Sequence, residues 1–266
     1  MDNTDELYNY EQKKINHVFH YTPVFEHLQG IVSKGFLPSY CKEKIGETNY
    51  LTPMVSFCNI PMVEVDKYMR YGKNGIGMSL SWAVQNRLTP VTYIHRNSPY
   101  HSVLKSIDFI QSKFSFGDRK EIKIEDFINN DEMLDKAMNI EEINIISLIT
   151  LQYLKNWETF YDGDKIKTYQ EREWRYVPTD SKIKPIIQEN ESQFFEFEEK
   201  PKPHFPECSL KINEIDDISY IVVTEDSQRA KIIKTLNKRF SKNKTKDAIM
   251  SGKLLILTAN QIKNDF

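Results

Sequence analysis

"VFHYTPVFEHLQGIVSKGFLPS", Val18 to Ser39, closes a short apolar run with a histidine and a tyrosine and starts a helix at once. "HVFHY" reads as a first strand. Thr22 suits the N-cap and Pro23 the first turn of the helix that follows. Val24, Leu28, Ile31 and Val32 recur at helical spacing, and Gly35 takes the left-handed position that ends it. His20, at the end of an apolar strand, has two readings. It is a core histidine tied down by a neighbour, or it holds a ligand at a strand end.

Further along, "FLPSYCKEKIGETNY" is loop-like and "MVSFCNI" reads as a second buried strand. Pro61 then opens a helix ending at "RYG". "NGIGMSLSWAVQNRL" combines a glycine-bearing strand with a helix capped by Ser79 or Ser81, and "PVTYIH" is a strand that starts with proline. "GKNGIG" lacks the Lys-Ser or Lys-Thr of a phosphate loop and reads as a tight turn entering that strand. From Pro99 to about Asn156 the pattern is helical, and "NIISLITLQYLKNW" is apolar nearly all round, as in a buried helix. "TYQEREWRYVP", "IKPIIQ" and "ISYIVVTE" read as strands. "DSQRAKIIKTLNKRF" is an amphipathic helix, and "KLLILTANQI" closes with a strand and a short turn. This order lacks the regular alternation of a doubly wound fold. The expectation is one α+β domain over residues 1–266. It has an N-terminal arm at 1–14, a helical insertion at 99–158 and a strand–helix–strand part at 219–266.

Composition narrows the class. Apolar residues make up 39% of the chain and charged ones 28%, with a formal net charge of −2. That balance supports a core and argues against a general nucleic-acid coat, although a local basic patch is compatible with it. No apolar run reaches the ~20 residues of a spanning helix, so no membrane segment is expected. The acidic, polar start "MDNTDELYNYEQKK" does not read as a signal peptide. Cys41, Cys58 and Cys208 are scattered and odd in number, which suits a reducing cytoplasm.

Most familiar chemistries find no motif here. The six histidines and three cysteines make no metal-ligand spacing, so no metal is expected. There is no G-x-S-x-G elbow for a serine nucleophile. The carboxylates of "YQEREWRYVP" are more informative. On a strand, Glu171, Glu173 and Arg175 share one face and Arg172, Trp174 and Tyr176 the other. The aromatic face is expected to be the packed one. Glu171 and Glu173 then project into a cleft, or into solvent as an ordinary charged face.

The opening stretch, with "IVSKG" ending its helix and a late "EREWR" strand, resembles the ADP-ribosyltransferase superfamily. The longer run from His17 to about Pro178, including "MVSFCNIPMVEVDKYMRYGKNGIGMSLSWAVQNRLTPVTYI" and "EREWRYVP", resembles the AbiGi family. Those are bacterial abortive-infection proteins labelled as antitoxins of a phage-defence pair. The superfamily resemblance implies a split mixed and antiparallel sheet and NAD as substrate. It implies that His20 binds the adenosine-side ribose and that Thr22 meets the nicotinamide region. Tyr21 stands where that motif usually has glycine. Tyr68, Tyr71 or Phe57 would stack on nicotinamide, and Glu173 would be the catalytic glutamate, with Glu171 as second candidate. A carboxylate there would stabilise the oxocarbenium charge that develops on the ribose.

Two functions therefore stand at this point. One is an NAD-dependent ADP-ribosyltransferase that modifies a protein or nucleic acid during phage defence. The other is a non-catalytic antitoxin that holds a cognate toxin on the same fold. The segment 229–246 is dense in Lys and Arg beside an apolar stripe of Ile232, Ile233, Leu236 and Phe240. It reads as a docked amphipathic helix with a solvated basic side, or as a surface for a nucleic-acid or acidic protein partner.

Overall fold

The computed structural model describes residues 15–46, 48–62, 64, 69, 71–99, 149–161, 163–180, 182–199 and 203–265. The chain divides into two compact units. One comprises Met1–Gly35, Phe57–Asn86 and Lys211–Phe266, and the other Phe36–Ser56 and Arg87–Leu210.

In the first unit, β1 (His17–Thr22) pairs antiparallel with β4 (Asn74–Ser79), from His17 opposite Ser79 to Thr22 opposite Asn74. The other edge of β4 takes β12 (Ile218–Val223) antiparallel, and β13 (Leu255–Thr258) adds to β12 in parallel. Cys58, the last residue of β3 (Thr48–Cys58), pairs with Phe19. The glycines of β4 make room for aromatic rings. A Cβ on Gly75 would lie 2.7 Å from the Tyr21 ring, and one on Gly77 2.7 Å from the Phe19 ring. Gly72, with φ +140°, supplies the predicted turn into the strand.

α1 (Phe25–Lys34) starts later than the sequence predicts. Thr22 stays in the β1 ladder instead of capping the helix, because its backbone is committed to Asn74. Its hydroxyl lies 3.3 Å from His27 Nδ1. The helix ends as predicted at Gly35, whose φ is +90° and whose N–H donates to the Ile31 carbonyl at 2.8 Å. Of the two predicted caps of α2 (Leu80–Gln85), Ser79 is the one that accepts from the Trp82 N–H. α4 (Ser227–Phe240) and α5 (Lys242–Met250) carry the chain from β12 to its parallel partner β13. The unit closes with α6 (Ala259–Asp265). Phe19, Tyr21, Ile60, Val222, Ala259 and Ile262 form a core cluster here.

In the second unit, β2 (Ser39–Ile45) and β3 form an antiparallel hairpin turned at Gly46, whose φ is +61°. The sequence predicts a loop for β2. Only from Cys41 to Ile45 does burial alternate, with Lys42 and Lys44 exposed and Ile45 buried, and buried Tyr40 falls on the lysines' side, so the strand's period is weak in the sequence. β10 (Glu173–Tyr176) and β11 (Ile187–Gln188) also pair with β3, and β5 (Thr89–Pro90) pairs with β10. β6 (Thr92–Ile94) lies parallel to β7 (Leu154–Asn156), and β8 (Thr159–Tyr161) with β9 (Asp164–Ile166) forms a hairpin. The predicted buried helix persists only over 149–152 of the described residues. Beyond it, pairing with β6 captures Leu154–Asn156 as a strand. α3 (Ser192–Glu199) completes the unit. The arm at 1–14 and residues 100–148 of the predicted insertion lie outside the described residues. The class is mixed α and β, and no described helix is long and apolar enough to cross a membrane.

Candidate functional site

The predicted site residues fall into two groups, one in each unit. In the first unit His20 is half-buried, and its ring centroid lies 5.6 Å from that of Phe57. Phe57 is fully buried and also meets Trp82 edge-on at 5.9 Å. Thr22 shares the His20 face, whereas Tyr21 points the other way, as successive strand residues do. Tyr21 is 8% exposed and stacks on Phe19, and its hydroxyl has no hydrogen-bond partner among the described residues. Burial, with a smaller contribution from Cys58, pushes that hydroxyl's pKa well above its ordinary value. Tyr71 packs against the same core cluster as Tyr21. Of the three aromatics expected to stack, Phe57 is thus beside His20, Tyr71 is on the Tyr21 side, and Tyr68 lies outside the described residues.

The second group corrects an expectation. The carboxylate face of the "EREWR" segment is not turned to cleft or solvent. Glu171 is 2%, Glu173 3% and Arg175 0% exposed, whereas Trp174 and Tyr176 are half-buried. Glu171 also lies off the strand, in a 3-10 turn (Thr168–Glu171), with Arg172 left-handed at φ 45° between it and β10. The turn still brings the two carboxylates together, on a residue that the sequence places inside a buried helix. Lys155 Nζ, on β7, donates to Glu173 Oε2 at 2.5 Å and to Glu171 Oε2 at 3.1 Å.

Arg175 explains why the charges go inside. Its Nε donates to Glu173 Oε1 at 2.7 Å, and its Nη1 donates to the Gln152 and Leu154 carbonyls at 2.8 and 3.3 Å. Nη2 is ion-paired with Glu43 Oε2 at 3.1 Å, outside hydrogen-bond alignment. The Glu173 N–H donates to Tyr93 Oη at 2.7 Å. Buried charges persist only when paired and hydrogen-bonded, and these meet that condition. Burial pushes the Glu173 carboxyl up, but Arg175 and Lys155 together outweigh it and hold the group far below the usual carboxylate range. Lys155 moves the opposite way. Burial disfavours its charge, while Glu173, Glu43 and Glu171 raise its pKa well above the ordinary lysine value. Glu43 and Lys155 escape sequence reading because one stands in an apparent loop and the other in an apparent helix. A single lysine inside the apolar run "LITLQYLKNW" is the signal that was present.

The basic segment is built as an amphipathic helix. Ile232, Leu236 and Phe240 are buried. Arg229 bonds to Asp226, Gln261 and the Ile256 carbonyl, Arg239 to the Ile212 carbonyl and Lys244 to Glu214. Lys231, Lys234, Lys238, Lys242 and Lys246 stay exposed, with no ion pair among the described residues. No group of three or more His, Cys, Asp or Glu side chains among the described residues is arranged to hold a metal ion.

Comparison with known proteins bears on these two groups. The family model described as "Putative abortive phage resistance protein AbiGi, antitoxin" matches residues 34–224. A protein of Lactococcus lactis subsp. cremoris, "Abortive phage resistance protein AbiGi", is 28% identical over 267 residues, covering 87% of this chain and 99% of the relative. No solved structure matches.

Proposed function

The chain belongs to the AbiGi family of abortive phage resistance proteins, and from that premise we propose that it is an antitoxin, the partner-holding member of a phage-defence pair, and not an NAD-consuming enzyme. One observation carries the choice. Glu173, the residue that the transferase resemblance makes catalytic, has both carboxylate oxygens engaged by Arg175 and Lys155 in a site 3% exposed. A carboxylate that is to stabilise a ribosyl cation must have lone pairs free to meet the substrate. Freeing Glu173 would take from buried Arg175 its hydrogen-bonded carboxylate and leave it Glu43 and two carbonyls, and breaking a buried pair costs up to about 3–5 kcal/mol. The exposed lysines of α4 and α5 offer an acidic partner protein a face that folding does not consume.

The transferase reading keeps one observation in its favour, the half-buried His20 at the side of Phe57 on β1. Turnover separates the two. The purified protein is incubated with NAD labelled in the nicotinamide ring, and release is followed while its protection is scored by phage plating in cells. Protection without nicotinamide release is the expected result. Release by the wild-type protein, lost in His20→Ala, would overturn the antitoxin reading.

A further inference from the structure

Ser227–Lys246, which runs through α4 and into α5, carries eight Lys or Arg and no Asp or Glu. The rest of the chain sets 28 such cations against 38 carboxylates, so a near-neutral molecule holds one strongly basic segment. Folding uses three of the eight. Arg229 meets Asp226, Gln261 and the Ile256 carbonyl, Arg239 the Ile212 carbonyl, and Lys244 Glu214. The side chains of Lys231, Lys234, Lys238, Lys242 and Lys246 are exposed and make no hydrogen bond or ion pair among the described residues.

The helix arranges these charges. At about 3.6 residues per turn, Lys231, Lys234 and Lys238 fall on one stripe of α4, opposite the buried stripe of Ile232, Leu236 and Phe240. The stripe runs from Ser227 to Ser241, both exposed, and no aromatic or large aliphatic side chain stands on it. That make-up selects the partner. Protein interfaces need aromatic or aliphatic anchors and are depleted in Lys. A single strand is held by rings on which its bases stack. A membrane takes an inserted apolar face, and α4 buries its own in the fold. A duplex is met by lysine alone. It carries one phosphate charge per roughly 1.7 Å of its length, so the rise of about 10 Å from Lys231 to Lys238 faces several at once.

We propose that this stripe of α4, extended by Lys242 and Lys246 of α5, binds the phosphate backbone of a double-stranded nucleic acid without reading its sequence. DNA and RNA duplexes share that chemistry. The proposal goes beyond the antitoxin reading and does not depend on it. An acidic partner protein drawn to the same lysines would compete with the duplex.

Fluorescence anisotropy of the whole chain tests it, with labelled DNA and RNA duplexes of about 20 base pairs, each in two unrelated sequences, between about 50 and 200 mM salt. A single strand and poly-glutamate are run as competitors. One variant joins Lys231→Gln, Lys234→Gln and Lys238→Gln. A control joins Lys73→Gln, Lys167→Gln and Lys182→Gln, which removes the same charge from exposed positions elsewhere. Both should melt as the wild type does. Met250, exposed one turn beyond Lys246, is an anchor that a protein would bury and a duplex would not, so Met250→Ala is the third variant. At least one duplex should bind, equally in its two sequences, with log affinity falling against log salt at a slope of about −3 to −4.5. The α4 variant should weaken binding by roughly tenfold or more and flatten the slope by about three. The control and Met250→Ala should do neither. Whichever duplex binds names the source. No duplex binding at the lowest salt, binding unchanged in the α4 variant, or an equal loss in the control or in Met250→Ala would overturn the proposal. So would a single strand or poly-glutamate that binds more tightly than either duplex. Nicotinamide release and protection in cells are read separately, so the antitoxin reading stands or falls by its own result.

Discussion

Arg175 has the greatest volume among the fully buried side chains of the described residues, and it is a cation. It is held by Glu173, Glu43 and two carbonyls, so its removal leaves Glu173 buried with Lys155 alone. Arg175→Met should therefore cost about 3–5 kcal/mol in urea unfolding, as truncation of one partner of a buried pair does. A loss under 1 kcal/mol would mean that the network relaxes around the gap. The same cluster sets the pH profile. Glu173 has a lowered pKa in the folded state, so its contribution is full above the ordinary glutamate value of about 4.3 and is lost as pH falls through the lower folded value. Lys155 is raised, so its contribution is full below about 10.4 and is lost as pH climbs through the higher folded value. The urea midpoint should hold from neutral pH to about pH 5 and fall below about pH 4. Glu173→Gln, which removes the titrating group, should make that acid flank shallower. An unchanged flank would show that the carboxyl is not held low. The alternation in "EREWR" is plain in the sequence, but its burial is not. It depends on Glu43 and Lys155, which only the fold brings to it.

At the scale of elements, β4 is built around two rings on β1. A Cβ on Gly77 would meet the Phe19 ring at 2.7 Å and Tyr220 Cβ at 3.1 Å, so Gly77→Ala should destabilise by about 1–3 kcal/mol, an overpacking cost. Gly30, inside α1, has nothing within 4 Å, and Gly30→Ala should stabilise by about 0.5–1 kcal/mol through helix propensity. Chemical denaturation of the two variants reads both, and equal effects would refute the packing argument. The elements that the sequence predicts well have one clean apolar face or a clear stop. α1 ends at Gly35, α4 carries its stripe of Ile232, Leu236 and Phe240, and β12 is apolar but for Ser219. The misread ones depend on a distant partner. β2 is half charged and is fixed by its register with β3, and β7 belongs to an apolar run that pairing with β6 turns from helix to strand.

At the scale of the molecule, neither unit is a continuous piece of chain. The second unit takes β2 and most of β3 from 36–56 and the rest from 87–210. The connection between those pieces belongs to the first unit. Periodicity within a segment does not reveal such interleaving, which is why the sequence reads as one domain. The arrangement predicts how fragments behave. Residues 87–210 alone lack β3, the partner of both β10 and β11, and lack Glu43 beside Arg175. They also lack Tyr50 and Leu51, which belong to the unit's two core clusters. Unpaired strand edges, an uncompensated guanidinium and two incomplete cores all act in the same direction. That fragment should show no cooperative urea transition. Joining 36–56 to its N-terminus through a flexible Gly/Ser linker restores β2, β3 and Glu43 and should restore a single sigmoidal transition. If the bare fragment unfolds cooperatively, β3 is not integral to the unit's stability. If the joined chain does not, the unit needs the rest of the molecule to fold.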